Sequence, residues 1–336
     1  MSFSAPGFFP RHRLKQFPKV FSFFPASRKR NIPIFCGRME RPMKQALNIW
    51  ILGGDLRQAY LAALLREDGH RIQTFALEQV PPTLSLPCAD SLDGLSQAEL
   101  VILPMPVTAG SDEILFSPLS VHTVPLTHIL RELTPRQWIC AGRVSPAVAA
   151  LFQERGLSIY DYFTREELIV ANCVPTAEGA IQLAMEQLPI TIHQAKVLVT
   201  GCGRVGKLTA QRFAALGAKV SVAARKYEQL AWAECHGFTP VPLVQMPRQL
   251  SQYQIILNTV PALLFGPEEL AALAPECLVL DLASNPGGVD MQSAERLGRK
   301  VIHALSLPGK VAPASAGQII RDAIYHTLQD AGAIGR

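Results

Sequence analysis

The 336-residue chain has no run of 18 uncharged apolar residues, the length at which a hydrophobic stretch reads as a membrane-spanning helix. Charge is sparse at 18%, while 49% of residues are hydrophobic and the mean hydropathy is +0.18, which excludes a disordered protein. Cys-x-x-Cys pairs are absent. The seven cysteines (Cys36, Cys88, Cys140, Cys173, Cys202, Cys235 and Cys277) are odd in number and widely scattered. They imply neither a disulfide framework nor a zinc site, and point to reduced thiols in the cytoplasm. A basic surface for nucleic acid is missing as well. The ten Lys and Arg of residues 1–44 face one acid, Glu40, and the remaining 22 bases are outnumbered by 26 acids. The formal charge of +5 thus belongs to the N-terminus, and the body is mildly acidic.

That N-terminus is compositionally distinct, with eight of the fifteen Phe and six Pro before residue 44 and no helical or strand periodicity. Pro and Arg interrupt each of its apolar runs, so it lacks the apolar stretch of about 7–15 residues that a secretory signal needs. Residues 1–42 read as a disordered extension, or as sequence preceding a true start at Met43.

From residue 47 short apolar runs alternate with helical patterns. Leu47–Leu52, Arg71–Ala76, Leu100–Leu103, Trp138–Ala141 and Ser158–Tyr162 have strand character, with helices after Asp55 and near 125–133 and 146–155. Pro175–Gln187 reads as a helix with Pro175 in its opening turn. A second series begins with the strand Lys196–Thr200, continues with strands over 219–223, 255–257, 277–282 and 300–303, and ends in a helix from Ala314 to Asp330. Alternation of this kind predicts an α/β chain of two Rossmann-like, doubly wound parallel-sheet domains with a cleft between them. The expected divisions are 43–172, a connector helix over 173–192, and 193–330 including the C-terminal helix.

The second series carries Gly201-Cys-Gly203-Arg204-Val205-Gly206 directly after a strand and at the start of a helix, the context in which this spacing binds a dinucleotide. Gly201 permits the tight turn, Gly203 lets the backbone approach a pyrophosphate, and Gly206 allows close helix–strand packing. A carboxylate at the end of the next strand would hold the ribose of NAD; here Ala223-Ala224-Arg225-Lys226 offers two cations instead, which suit the 2′-phosphate of NADP. Thr259, Val260 and Pro261, which follow a later strand, are placed to meet the nicotinamide ribose. Gly53-Gly54-Asp55 lacks the third glycine, and Asp55 suits a helix N-cap, so this loop reads as a substrate-side element.

Taken together, Gly53-Gly54-Asp55 with Arg57-Gln58, Val174–Gly179, Gly201–Gly206, Asn258–Pro261, Leu280–Ser284 with Pro286-Gly287-Gly288, and Leu307–Pro313 with Ser315-Ala316-Gly317 resemble the dipicolinate synthase A-subunit family, in the same order over about 47–325. The segment before Met43 is a departure. The resemblance implies a substrate-side N-terminal domain, an NADP-binding second domain, and NADP-dependent oxidation of dihydrodipicolinate to dipicolinate on a branch of the lysine pathway during sporulation. It also implies the flavoprotein-like dipicolinate synthase B-subunit as partner; a homo-oligomer stays open.

Such a dicarboxylate calls for cations and hydroxyls at the cleft: Arg57, Arg143 and Lys310, with Thr176 and Ser315. Glu178 and Asp55 are the acidic candidates for proton transfer, and Asp281 ends a strand where α/β sites gather residues. No metal is expected. Two other functions remain: a 2-hydroxy-acid dehydrogenase, which would need a His–carboxylate pair that is not evident beside His303, and a non-catalytic NADP(H)-binding protein with a scaffold or regulatory role.

Overall fold

The computed structural model describes residues 46–108, 110 and 113–334; the expected extension over 1–42 lies outside them. Asn48–Leu52 (β1) is buried over its last four residues, as a central strand covered on both faces must be. It leads into Leu56–Glu67 (α1), then Arg71–Phe75 (β2), Cys88–Ala89 (β3) and Leu100–Ile102 (β4). Leu126–Glu132 (α2), Trp138–Ala141 (β5), Pro146–Glu154 (α3) and Ile159–Asp161 (β6) complete a six-stranded sheet of order β3-β2-β1-β4-β5-β6. Every pairing in it is parallel.

Glu166–Gln187 (α4) leads to the second sheet. Its elements are Lys196–Thr200 (β7), Arg204–Ala215 (α5), Lys219–Ala224 (β8), Tyr227–Cys235 (α6), Thr239–Pro242 (β9), Ile255–Asn258 (β10), Pro267–Ala271 (α7), Leu278–Asp281 (β11), Met291–Arg296 (α8) and Lys300–His303 (β12). The order is β12-β11-β10-β7-β8-β9, again all parallel and with the same winding as the first sheet. Leu307–Val311 (α9) and Pro313–Asp330 (α10) end the fold. Two doubly wound sheets place a topological switch point beyond β1 and β4 in one lobe, and beyond β7 and β10 in the other; ligands settle at such crevices.

Three expectations are corrected. The connector over 173–192 is in fact a 22-residue helix that starts at Glu166, with Pro175 inside it. An internal proline costs about 3 kcal/mol in an exposed helix, but here Pro175 is buried along with Cys173, Ala177, Gly179, Ala180 and Ala184, and that packing decides. Glu178 is therefore mid-helix and not in the first turn, where Glu166 and Glu167 sit. Finally, α10 does not belong to the second lobe's core. Ile320, Ala323, Ile324, Tyr325 and Leu328 pack with Ile49, Ile51, Leu61 and Leu65 against the first sheet.

Among the described residues α4 is the one helix long and apolar enough to cross a membrane by length and composition. Its small residues Ala180 and Ala184 pack into the second lobe's core beside Val197, Phe213 and Leu307.

Candidate functional site

Beyond β7 the chain turns at Gly201, whose φ of +92° is a glycine conformation, and its N–H donates to the Ala223 carbonyl of β8 at 2.9 Å. A Cβ at Gly201 would lie 2.6 Å from the Thr259 hydroxyl and 2.9 Å from a Val260 methyl, so the loops after β7 and β10 touch. At Gly206 a Cβ would meet the Gly201 carbonyl at 2.2 Å, which fixes α5 against the strand end. Gly203 differs from both: a Cβ there meets nothing within 4 Å, so the open space it faces is available to a ligand. No side chain caps α5, whose N-cap is Gly203. Its first-turn N–H groups and the positive end of its dipole are left for an anion. These observations fit the pyrophosphate of a dinucleotide. Burial pushes the Cys202 thiol up, in keeping with a packing role in this loop.

At the end of β8, Ala223 and Ala224 are buried, while Arg225 and Lys226 are exposed. Lys226 lies 3.4 Å from Glu228, a solvated pair worth little, and Arg225 has no partner among the described residues. Arg204, also expected at the cofactor, makes a half-exposed ion pair with Glu166 at the start of α4.

A buried network underlies the crevice beyond β10 and β11. The Thr200 hydroxyl donates to Asn258 Oδ1 at 2.6 Å, and Asn258 Nδ2 donates to Asp281 Oδ1 at 2.8 Å and to the Val260 carbonyl at 3.0 Å. Asp281, 1% exposed, also accepts the N–H groups of Ala283 (3.1 Å) and Gly288 (2.8 Å). One carboxylate thus holds the 283–288 loop and, through Asn258, the 259–261 turn. His303 Nε2 lies 3.2 Å from the Ala283 carbonyl and forms no ion pair among the described residues, so the His–carboxylate couple of a 2-hydroxy-acid dehydrogenase is not found here.

In the first lobe Asp55 caps α1, accepting the Arg57 N–H at 3.0 Å, and its carboxylate also takes the guanidinium of Arg57 at 2.8–3.1 Å through Nε and Nη2. Arg57 Nη2 donates to the Met105 carbonyl at 2.8 Å as well, so this 6%-exposed cation is already neutralised. Gly53 and Gly54 give their N–H groups to the carbonyls of Phe75 (2.8 Å) and Phe116 (2.7 Å), and no phosphate cradle remains there. The second lobe reaches this rim through α9. A Cβ at Gly309 would stand 2.9 Å from Asp55 Oδ2 and 3.0 Å from Arg57 Nε.

The other candidates are less closely joined. Lys310 is exposed on α9 with no ion pair among the described residues, and Ser315 is half-buried in the first turn of α10. Thr176 donates its hydroxyl to the Asn172 carbonyl one turn back in α4, and Glu178 is exposed on the same helix. No group of three or more His, Cys, Asp or Glu side chains that could hold a metal ion occurs among the described residues.

Comparison with known proteins decides the family. Residues 48–163 match the family described as the N-terminal domain of the dipicolinate synthase A-subunit, and 182–303 match shikimate / quinate 5-dehydrogenase. The dipicolinate synthase A-subunit of Bacillus subtilis (strain 168) is 32% identical over 291 residues, which cover 86% of this chain and 98% of that protein. The chain belongs to the dipicolinate synthase A-subunit family. Crystal structures of the dipicolinate synthase A-subunit from Bacillus halodurans (30% identical, TM-score 0.76, 84% of this chain and 99% of that one) and from Bacillus subtilis (31%, 0.75, 88% and 99%) share its fold.

The two matched regions leave residues 166–181 of α4, and all of α9 and α10, outside both. Yet these are the elements through which the lobes meet. A Cβ at Gly179 of α4 would lie 3.0 Å from Leu307 of α9, and one at Gly317 of α10 would lie 2.9 Å from the Arg57 carbonyl of α1. In this member of the dipicolinate synthase A-subunit family the Leu307–Gly317 segment is thus a seam between lobes. Its Gly309 and Gly317, together with Asn258, stood inside the quoted motifs without being given a role of their own. Their signal was spacing within motifs, with no hint of what they touch.

Proposed function

We propose that the chain oxidises dihydrodipicolinate to dipicolinate, with NADP⁺ as hydride acceptor, in the cytoplasm during sporulation, and acts with a flavoprotein-like B-subunit. The observation that carries this reading is the match to the dipicolinate synthase A-subunit over 98% of that protein's length. The phosphate cradle on α5 and the acid-free end of β8 support the choice of cofactor.

In this reading Gly201, Gly203, Arg204, Val205 and Gly206 hold the pyrophosphate on the N-terminus of α5. Arg225 and Lys226, next to Ala224, take the 2′-phosphate, and Thr259, Val260 and Pro261 meet the nicotinamide ribose. The nicotinamide supplies the hydride acceptor; aromatisation of the ring supplies driving force, so the protein's chief contribution is positioning. The buried Asp281 holds the two loops that flank the ring's side of the crevice. Across the crevice from them, Arg57 of α1, Lys310 of α9, Thr176 of α4 and Ser315 of α10 are the groups available to a dicarboxylate, and Asp55 and Glu178 are the acidic candidates for proton transfer.

An absorbance assay at the NADPH band tests the reading, using purified chain, NADP⁺ and enzymatically generated dihydrodipicolinate, with and without the B-subunit. NADPH formation dependent on this chain is expected. Its absence in both arms overturns the reaction.

A further inference from the structure

Arg143 stands apart from the other cations at the rim. It follows β5, next to β4 in the sheet, and a chain of contacts links that strand end to the opposite lobe. A Cβ on the preceding Gly142 would lie 2.7 Å from Met105 Cβ; Met105's carbonyl accepts Arg57 Nη2; and Gly309 of α9 closes on the Asp55–Arg57 pair. Arg143 therefore begins one residue beyond a strand end that packs on Met105, whose carbonyl holds the Arg57 that α9 approaches.

Its backbone is unusual. Arg143 has φ of +56°, a left-handed conformation that a residue with a Cβ adopts at a cost. Asp161 enforces it. Oδ1 accepts the Arg143 N–H at 2.9 Å and the Phe163 N–H at 2.8 Å, while Oδ2 accepts the Val144 N–H at 2.9 Å. With its carboxylate occupied by three backbone donors, Asp161 forms no ion pair with the guanidinium, which is exposed and has no partner among the described residues. Arg57, by contrast, is neutralised by Asp55. Glycine would fit position 143 without strain, and an observed outlier of this kind argues for a function of the side chain.

Building on the reading above, we propose that Arg143 grips one carboxylate of the doubly anionic pyridine substrate and so sets the preference for a dicarboxylate over a monocarboxylate. A guanidinium fork on a rigid loop matches a carboxylate through two parallel hydrogen bonds, which a lysine cannot do. Asp161 is the positioning residue that aims it.

The test is calorimetric binding of dipicolinate and of the monocarboxylate picolinate to the NADP⁺-loaded full chain, for wild type and for Arg143→Lys, Arg143→Ala and Arg143→Gly. Arg143→Ala is expected to weaken dipicolinate by about 10–100-fold while changing picolinate by no more than about threefold, with Arg143→Lys between it and wild type. Arg143→Gly, relieved of the positive φ, is expected to melt no lower than wild type and still lose the preference, which separates binding from folding. Wild-type preference in the Ala and Gly variants overturns the assignment of Arg143 alone. A wild-type chain that binds NADP⁺ but neither acid overturns the dipicolinate reading, and this inference falls with it.

Discussion

Replacing Gly317 by alanine isolates the packing of the C-terminal helix on the first lobe. The new Cβ would stand 2.9 Å from the Arg57 carbonyl, 3.0 Å from the Leu61 nitrogen and 3.1 Å from Tyr60 Cβ, all on α1. Comfortable contact lies near 3.5–4 Å, and two of the three atoms are backbone, so no side chain can rotate away and the helices must part. Overpacking of this kind costs about 1–3 kcal/mol. Against it stands the helix propensity of alanine, which returns about 0.5–1 kcal/mol inside a helix. The net expectation is a loss of about 1–2 kcal/mol, or a melting temperature lower by about 1–4 °C for a protein of this size. Differential scanning calorimetry reads it, with NADPH affinity as the control, since the cradle on α5 lies in the other lobe. A Gly317→Ala protein as stable as wild type, or more so, would show that propensity is the only term in play and that α10 does not close on α1 this tightly.

Asp281→Asn keeps the shape but turns one acceptor into a donor that faces N–H groups of Asn258, Ala283 or Gly288. A loss of about 2–4 kcal/mol is expected in urea denaturation, together with weaker NADPH binding as the 283–288 loop loosens; unchanged stability would contradict the network. Gly203→Ala faces open space, so its stability should stay within about 0.5 kcal/mol of wild type while NADPH affinity falls about tenfold or more; retained affinity would place the pyrophosphate elsewhere. His70 is buried between the Leu47 N–H, bonded to Nδ1 at 3.2 Å, and the Tyr325 hydroxyl, 3.0 Å from Nε2. Burial lowers its pKa below 6.5, although the Asp68 carboxylate pulls the other way. The unfolded chain therefore binds the proton more readily, and the stability held by neutral His70 is complete above about 6.5 and is lost as the pH falls below it. Melting curves from pH 7.5 to 5 should fall less steeply in His70→Gln; equal slopes would refute this.

Much of the architecture could be read from short apolar runs: β1, β2, β4, β5, β7, β8, β10, β11 and β12 form within a residue or two of the expected limits. What escaped has identifiable causes. β9 contains Pro240 and Pro242, residues that argue against a strand, yet it is an edge strand, where missing donors are tolerated. Pro175 suggested a helix start because its own turn needs no N–H there, whereas burial of that face outweighs the broken bond. The apolar stripe Ile319, Ile320, Ala323 and Ile324 was visible on α10, but a stripe does not name its partner, and the nearest lobe in sequence was not the one it covers. At the site, the glycine spacing reported the turn at Gly201 and the close packing at Gly206, because each of these answers a local backbone demand, whereas Gly203 faces open space. The charge state of Arg57 was not legible in the same way. It depends on Asp55 folding back from the cap and on a carbonyl 48 residues away.

Under the proposed function, Arg225 and Lys226 at the end of β8 grip a 2′-phosphorylated dinucleotide. Titration calorimetry of the full chain with NADPH and with NADH tests it most directly, in wild type and in an Arg225→Ala/Lys226→Ala double variant. Tighter binding of NADPH by wild type is predicted, with a loss of about 10–100-fold for NADPH in the double variant and NADH unchanged. Equal affinities in the wild type, or tighter binding of NADH, would contradict it.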